Sequence, residues 1–235
     1  MSELEKINYE EILGNIKKRA LNAKQEWDTY PERRPKPPSF TSSFGKRYDA
    51  CAFETLNQTD ILNLMRAWDG KGLIVISGVN GCGKTAAMAC YERKFWEDEV
   101  VRCFKTWPPR EHEFSKDFLQ NIFFVIKAPE LLERFIKSQD NTLETLIKNR
   151  PIMVLDDMGT ENLTDYALTK LHWTIDTRYA NDKALLITTH LSAPKFLERY
   201  KEARGFLDRL REWGVFFESK ESSFRNSKSY LKAVV

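Results

Sequence analysis

Gly78-Val79-Asn80-Gly81-Cys82-Gly83-Lys84-Thr85 fills every fixed position of the pattern G-x-x-x-x-G-K-[ST]. The octapeptide follows a short apolar run, Leu73 to Ser77, and opens a helical pattern that continues to Trp96. Strand, glycine-rich turn and helix in that order make a phosphate cradle. The glycines let the backbone wrap closely and aim its N–H groups at phosphate oxygens, and the helix N-terminus adds its dipole. Lys84 is placed to bridge the β- and γ-phosphates of a nucleotide, and the Thr85 hydroxyl to ligate Mg²⁺. The eight residues, with Ala86 behind them, are the expected contacts for ATP or ADP.

The complementary half lies downstream. Ile152-Met153-Val154-Leu155-Asp156-Asp157 is an apolar strand that ends in two carboxylates. A strand delivers them to the carboxyl edge of a sheet, beside the phosphate loop. Asp156 is expected to hold Mg²⁺, through water, and Asp157 to polarise the attacking water. Adjacent strand residues point to opposite sides, so two roles are expected rather than one chelate.

Around these halves the pattern alternates between strand and helix. Ile122 to Ile126, Ala184 to Thr189 and Val215 to Phe217 read as further strands. Pro129 opens a helix carrying Leu131, Leu132, Phe135 and Ile136, and Leu168, Leu171, Ile175 and Tyr179 mark another helix face. Continuous apolar strands alternating with helices specify an α/β fold, a five-stranded parallel sheet sandwiched between helices. The stretch Glu97 to Gln120, with Trp107, Pro108 and Pro109, fits neither period and is expected to be an inserted loop. Ahead of the core, residues 2 to about 27 read as a helix, with capping-box spacing at Ser2 and Glu5 and a stripe of Leu13, Ile16, Ala20 and Trp27. Pro31, Pro35, Pro37 and Pro38 then break the pattern. The expected organisation is a helical extension and proline-rich linker over 1–45, suited either to docking a partner or to packing on its own core, and an ATPase domain over 46–235.

Composition sets the outer bounds. The 235 residues are 42% hydrophobic and 30% charged, too apolar for a disordered chain. A net charge of +3 permits nucleic-acid contact without arguing for it. No apolar run approaches the ~18 residues of a membrane span, and the charged start lacks a signal-peptide core. A cytoplasmic location with no membrane partner is expected. Cys51, Cys82, Cys90 and Cys103 have neither zinc-ligand spacing nor a disulfide pattern, and read as reduced, partly buried thiols.

Three more residues are candidates for chemistry. His190, after Thr188-Thr189, ends the fourth strand, where an imidazole could hydrogen-bond the attacking water or be an ordinary surface group. Arg209, in Asp208-Arg209-Leu210-Arg211, precedes the last strand and could reach a neighbouring subunit's γ-phosphate with its planar fork, or lie on a solvated helix face. Arg225, in Ser223-Phe224-Arg225, follows that strand and could approach the phosphates of its own subunit.

Order and spacing bind these pieces to others: Arg47-Tyr48 and Phe53-Glu54 before the core, Ala128-Pro129-Glu130-Leu131-Leu132, Asp156-Asp157-Met158-Gly159-Thr160-Glu161, Asp176-Thr177-Arg178-Tyr179, and Ile187-Thr188-Thr189-His190-Leu191-Ser192. Over roughly 45 to 230 the chain resembles the DnaC-type bacterial helicase loaders and the related IstB-type transposition ATPases of the AAA+ class. The resemblance implies an AAA+ core that self-associates side by side, ATP at the subunit interface, single-stranded DNA along the assembly, and an N-terminal extension that grips a replicative helicase. It places His190 at the first sensor, Arg209 at the arginine finger, Arg225 at the second sensor, and Phe53 beside the adenine. The chain departs from the family where Asn is usual at the first sensor, in its short extension without a zinc-ligand cluster, and in the 97–120 insertion.

The expected function is thus ATP binding and slow hydrolysis in DNA replication, as a helicase loader. An IstB-like helper of a transposase is the related alternative. A nucleotide-holding module without turnover is a third, and a small-molecule kinase a fourth, disfavoured by the lack of a lid with several phosphate-facing arginines.

Overall fold

The computed structural model describes residues 9–29 (the backbone alone over 9–17), 31, 36–106, 108–110, 113–114, 117–137 and 142–224. The chain divides into two units, Phe40–Trp96 with Asp117–Val235, and Met1–Ser39 with Glu97–Lys116. The first holds five strands: β1 (Leu73–Ser77), β2 (Phe123–Lys127), β3 (Ile152–Met158), β4 (Ala184–Thr189) and β5 (Gly214–Glu218). All pair in parallel, in the order β2-β3-β4-β1-β5. The strand after the carboxylates therefore sits between them and the glycine-rich turn.

Parallel pairing needs crossovers. In chain order the helices are α1 (Tyr9–Thr29), α2 (Asp60–Ala67), α3 (Lys84–Val100), α4 (Phe118–Ile122), α5 (Ala128–Lys137), α6 (Thr142–Asn149), α7 (Asp165–Ala180), α8 (Ala193–Arg199) and α9 (Arg204–Trp213). Those from α3 onward supply the crossovers, α1 and α2 preceding the first strand. Strand residues sort by parity into two cores. Leu73, Val75, Met153, Leu155, Leu185 and Ile187 face the core built with α5 to α9. Ile74, Ile76, Ile152, Val154, Ala184 and Leu186 face the core built with α2 and α3. Both faces are covered, which is why the strands read as unbroken apolar runs.

The expected five-stranded parallel sheet between helices is the fold observed. Helices α2 and α6 have no counterpart in the sequence reading. Each has two turns and buries only two or three apolar side chains, Ile61, Leu62 and Met65 in one, Leu143 and Ile147 in the other. That is too few to establish a period. The stretch Glu97 to Gln120 is not simply a loop. Helix α3 runs to Val100 and continues as a π-type turn over Val101–Lys105, and α4 leads directly into β2. The residues Glu97-Asp98-Glu99 extend the helix, and Arg102 ties the turn to Glu99 and Glu113, each at 2.7 Å. Trp107 lies outside the described residues.

In the second unit α1 begins at Tyr9, and Ser2 and Glu5 lie outside the described residues, as do the Leu13 and Ile16 side chains. Ala20 is exposed and Trp27 half-buried. No helix among the described residues is long and apolar enough to cross a membrane. The four cysteines are free and buried.

Arg178, on α7, is fully buried, and no carboxylate among the described residues pairs with it. Its Nη1 donates to the carbonyls of Ile147 (2.9 Å) and Arg150, and its Nη2 to those of Pro151 (2.8 Å) and Ala184. Those oxygens belong to the end of α6, the turn after it and the start of β4. Helix C-termini carry partial negative charge and unpaired carbonyls, so the guanidinium answers both needs at once. Burial draws its pKa down to about 9, which leaves it charged at neutral pH. Arg178→Met should cost about 3 kcal/mol or more, because the carbonyls are left unsatisfied at roughly 1–3 kcal/mol each. Urea unfolding monitored by tryptophan fluorescence measures this, and an unchanged midpoint would refute the clamp.

Candidate functional site

The glycine-rich turn links β1 to α3. Gly81 and Gly83 have φ of +88° and +95°, which only glycine adopts freely. Gly78 is needed for a different reason: a Cβ there would lie 2.8 Å from the Cys82 sulfur and 3.3 Å from Cβ of Ser219. Cys82 is therefore a packing residue turned into the core. Lys84 is buried, and its ammonium donates to the carbonyls of Gly78 (2.7 Å) and Val79 (3.2 Å), closing the loop over itself.

Across β4, the two carboxylates take different positions. In β3, Leu155 pairs with Ile187 and Met158 with Thr189, so one extra residue is accommodated between them. Asp157 sits in the left-handed region at φ +58°. The separation of the two aspartates thus comes from a bulge and not from simple strand alternation. Asp156 keeps the parity of Ile152 and Val154, toward α3, and is buried. Asp157 turns out and lines the cavity below. Thr188 of β4 joins them: its hydroxyl donates to Asp156 Oδ1 at 2.6 Å and accepts the Asp157 N–H at 2.9 Å. The Thr160 hydroxyl holds the Asp157 carbonyl at 2.7 Å. Lys127, at the end of β2, reaches Asp157 Oδ2 at 3.4 Å across solvent-exposed side chains.

The following turn is locked from beneath. Gly159 has φ +107°, and a Cβ on it would meet Leu191 at 2.8 Å. The buried Glu161 carboxylate accepts the Gly159 N–H at 2.7 Å and the Tyr200 hydroxyl, and pairs with Arg199.

A cavity of about 270 Å³ opens over the turn, lined by Asn80, Gly81, Gly83, Lys84, Thr85, Ala86 and Asp157 on one side. Arg47, Tyr48, Cys51 and Leu56 line the other, and Phe224 also borders it. The Phe224 N–H donates to the Gly81 carbonyl at 3.0 Å, stitching the segment after β5 to the turn. The donor set fits a nucleotide with a hard divalent cation: backbone N–H groups and an ammonium for phosphate, a hydroxyl and carboxylates for the ion.

Not every expected residue comes to this cavity. Phe53 does not line it; its side chain is buried in the core with α2 and α3, under the Arg66 guanidinium at 5.0 Å. Tyr48 and Leu56, its neighbours in sequence, form the wall instead. His190 is exposed one residue beyond β4 and is not among the lining residues. Arg209 lies on α9, bound to Asp176 and Glu212. Arg225 lies outside the described residues. Thr188 and Lys127 carry no site expectation although they contact the carboxylates. A hydroxyl in a strand and a lysine at a strand end are common residues, and only their register against Asp156 and Asp157 distinguishes them.

The fold and the site together define a P-loop protein with the AAA+ architecture. Solved structures to which the chain is similar include three replication proteins. Against the DnaC helicase loader the TM-score is 0.51, with 18% identity over 75% of this chain and all of that one. Against DnaI it is 0.53, with 17% identity over 76% and 93% of the two chains. Against domain III of the replication initiation protein DnaA of Thermotoga maritima it is 0.54, with 16% identity over 77% and 72%. At these identities the likeness establishes the fold. No family model and no curated protein matches the chain.

Burial raises the pKa of Asp156, and the Thr188 hydrogen bond only partly offsets this. A carboxylate whose folded pKa lies above its unfolded value adds stability when protonated and loses it as pH rises through the folded pKa. Asp156→Asn, which keeps an acceptor for Thr188, should therefore stabilise the ligand-free protein by about 1 kcal/mol at neutral pH. The gain should shrink as pH falls into the carboxylate range. Thermal melts across pH test this; a variant less stable than the parent at pH 7 would contradict it.

Proposed function

We propose that the chain is an ATP-binding and ATP-hydrolysing protein of DNA replication, a loader that acts on a replicative helicase and single-stranded DNA in the cytoplasm. The observation that carries the nucleotide reading is the convergence of Lys84, Thr85 and Asp157 on one cavity, with Asp156 behind them on the β3–β4 bridge. The fold shared with the DnaC helicase loader and DnaI supports the replication role. A further structure of this fold, DnaA from Aquifex aeolicus at TM-score 0.50 and 13% identity, is bound to AMPPCP, which supports a nucleoside triphosphate here.

In this reading the turn's N–H groups and Lys84 hold the β- and γ-phosphates. Thr85 and Asp156 would hold Mg²⁺, which neutralises the charge on those oxygens when bound. Asp157 takes the proton of the attacking water, and its diversion from the strand leaves it free to do so. The Lys127 ion pair orients that carboxylate; being exposed, it adds little energy. Arg209 completes the site of a neighbouring copy, and His190, exposed beyond β4 and outside the cavity lining, would act on the water only by turning toward it. The 1–45 extension meets the helicase.

Lys84→Ala should weaken ATP binding more than tenfold, since each charge-assisted hydrogen bond from the ammonium to phosphate is worth roughly 1.5–3 kcal/mol. Unchanged affinity by titration with a fluorescent ATP analogue would remove the basis of the whole reading.

Asp157→Asn should retain Mg·ATP and lose most hydrolysis, because an amide cannot accept the proton. If it turns over ATP at the parent rate, the carboxylate is structural and the site merely holds nucleotide. Affinity capture from the native host separates the partners: a hexameric helicase supports a loader, a transposase the IstB-like role.

A further inference from the structure

Helices α7 and α9 lie against one another through matched stripes. His172, Asp176 and Tyr179 recur at i, i+4 and i+7 on α7, and Gly205, Arg209 and Glu212 do the same on α9. Such spacing puts each trio on one helix face. Gly205 allows the close approach: a Cβ there would fall 2.3 Å from His172 Nε2, so a larger residue fits only if the imidazole turns aside or the helices part. That close approach brings Arg209 onto the α7 surface.

Arg209 is gripped there on three sides. Its Nε donates to Asp176 Oδ1 at 3.1 Å and its Nη1 to Glu212 Oε2 at 3.0 Å. The guanidinium carbon stands 4.2 Å from the centre of the Tyr179 ring. Tyr179 is itself fixed, its hydroxyl donating to Glu212 Oε1 at 2.5 Å and its ring edge-on to Trp213 at 5.7 Å. Among the described residues, Nη2 has no hydrogen-bond partner. The side chain remains one-third exposed. By contrast Arg211, two residues on, is 69% exposed and tied only to Asp208 at 3.0 Å.

We propose that Asp176, Tyr179 and Glu212 form a seat that holds Arg209 in place for a nucleotide bound by a neighbouring copy of this chain. This rests on the reading of Arg209 as the residue that acts across a subunit interface. Arginine has five N–H donors in a rigid planar fork. Spending Nε and Nη1 on carboxylates fixes the plane of the fork and still leaves Nη2 for phosphoryl oxygen. The stacked tyrosine blocks rotation out of that plane. A side chain already ordered loses less freedom when it engages, so the three seat residues are positioning residues whose effect appears in catalysis across the interface and not in binding within the subunit.

The test compares Arg209→Ala, Asp176→Asn and Tyr179→Leu as full-length proteins, with turnover at saturating ATP in the presence of single-stranded DNA and ATP affinity measured separately. Asp176 is nearly half exposed, so the asparagine variant should fold. Asp176→Asn and Tyr179→Leu should each lower kcat by about tenfold while ATP affinity stays within about twofold, the pattern of misplacement by a fraction of an ångström. Asp176→Glu should recover part of the loss. Mixing Asp176→Asn with Lys84→Ala should restore turnover, because an intact ATP site then meets a correctly seated arginine from the other chain. If Arg209→Ala turns over normally, the interface reading itself fails and the seat falls with it. If Arg209→Ala is impaired while both seat variants keep the parent kcat, the seat alone is overturned. If the seat variants are impaired and the mixture recovers nothing, their effect is not exerted in trans and the proposal is wrong.

Discussion

A strand buried on both faces cannot carry a carboxylate at every second position without placing charge in one core or the other. Strand β3 meets this limit at its carboxyl end. Met153 and Leu155 face one core, and regular geometry would put Asp157 next on that face. The single extra residue between Leu155 and Met158 resolves the conflict. Met158 takes the buried place, and Asp157 leaves the ladder with its N–H on the Thr188 hydroxyl. Aspartate tolerates left-handed backbone better than most residues, so the cost is modest. Such residues cluster at working sites because the surrounding structure holds them there. Here the holding group is one threonine on the neighbouring strand, which also binds Asp156.

That arrangement depends on strand order. Thr188 can serve both carboxylates only because β4 lies between β3 and β1. The same insertion puts the end of β4 beside the glycine-rich turn, whose Gly78 N–H donates to the Thr189 carbonyl at 3.2 Å. On the other side of β1, the Ser219 N–H donates to the Ser77 carbonyl at 2.9 Å, and the Ser219 hydroxyl and the Lys220 N–H bind Asp60 of α2. The turn is thus braced by β4 on one flank and by the segment after β5 on the other. A loop rich in glycine is costly to order, and this bracing from both flanks offsets that cost.

Much of this is legible in the sequence because two-sided burial writes continuous apolar runs, and the phosphate turn has its own residue grammar. All five strands and the helices opened by Lys84 and Pro129 come from those two signals. What stays hidden depends on register. Nothing in Thr188 or Lys127 marks them until pairing sets Asp156 against Lys127 and Thr188 within reach of both carboxylates. Phe53 illustrates the converse. An aromatic residue in the right segment suggests a wall for a base, but that segment turns so that Tyr48 and Leu56 face the cavity and Phe53 anchors it from the core side. The bulge at Asp157 is hidden too, because a strand reading assumes constant parity, and parity is what the site breaks.

The buried charges of this protein also fall into two groups by how completely they are answered. The Glu92 carboxylate accepts the Ser42 hydroxyl at 2.8 Å on one oxygen and the Ser43 N–H at 3.0 Å on both. Glu161 is bound by Gly159, Tyr200 and Arg199, and Arg178 by four carbonyls. Each of these joins segments distant in sequence and has several partners, although the Nε atoms of Arg178 and of Arg199 are buried without a hydrogen bond. Asp156 differs. It is buried like its counterparts, yet among the described residues hydrogen bonds reach only its Oδ1, through Thr188. Its electrostatic neighbours are a like charge on Asp157 and two lysines, Lys127 and Lys84. Burial raises its pKa, so the ionised carboxylate is destabilising for the fold alone. One oxygen held by Thr188 and the other without a hydrogen bond from the described residues is the arrangement expected where a cation completes the coordination.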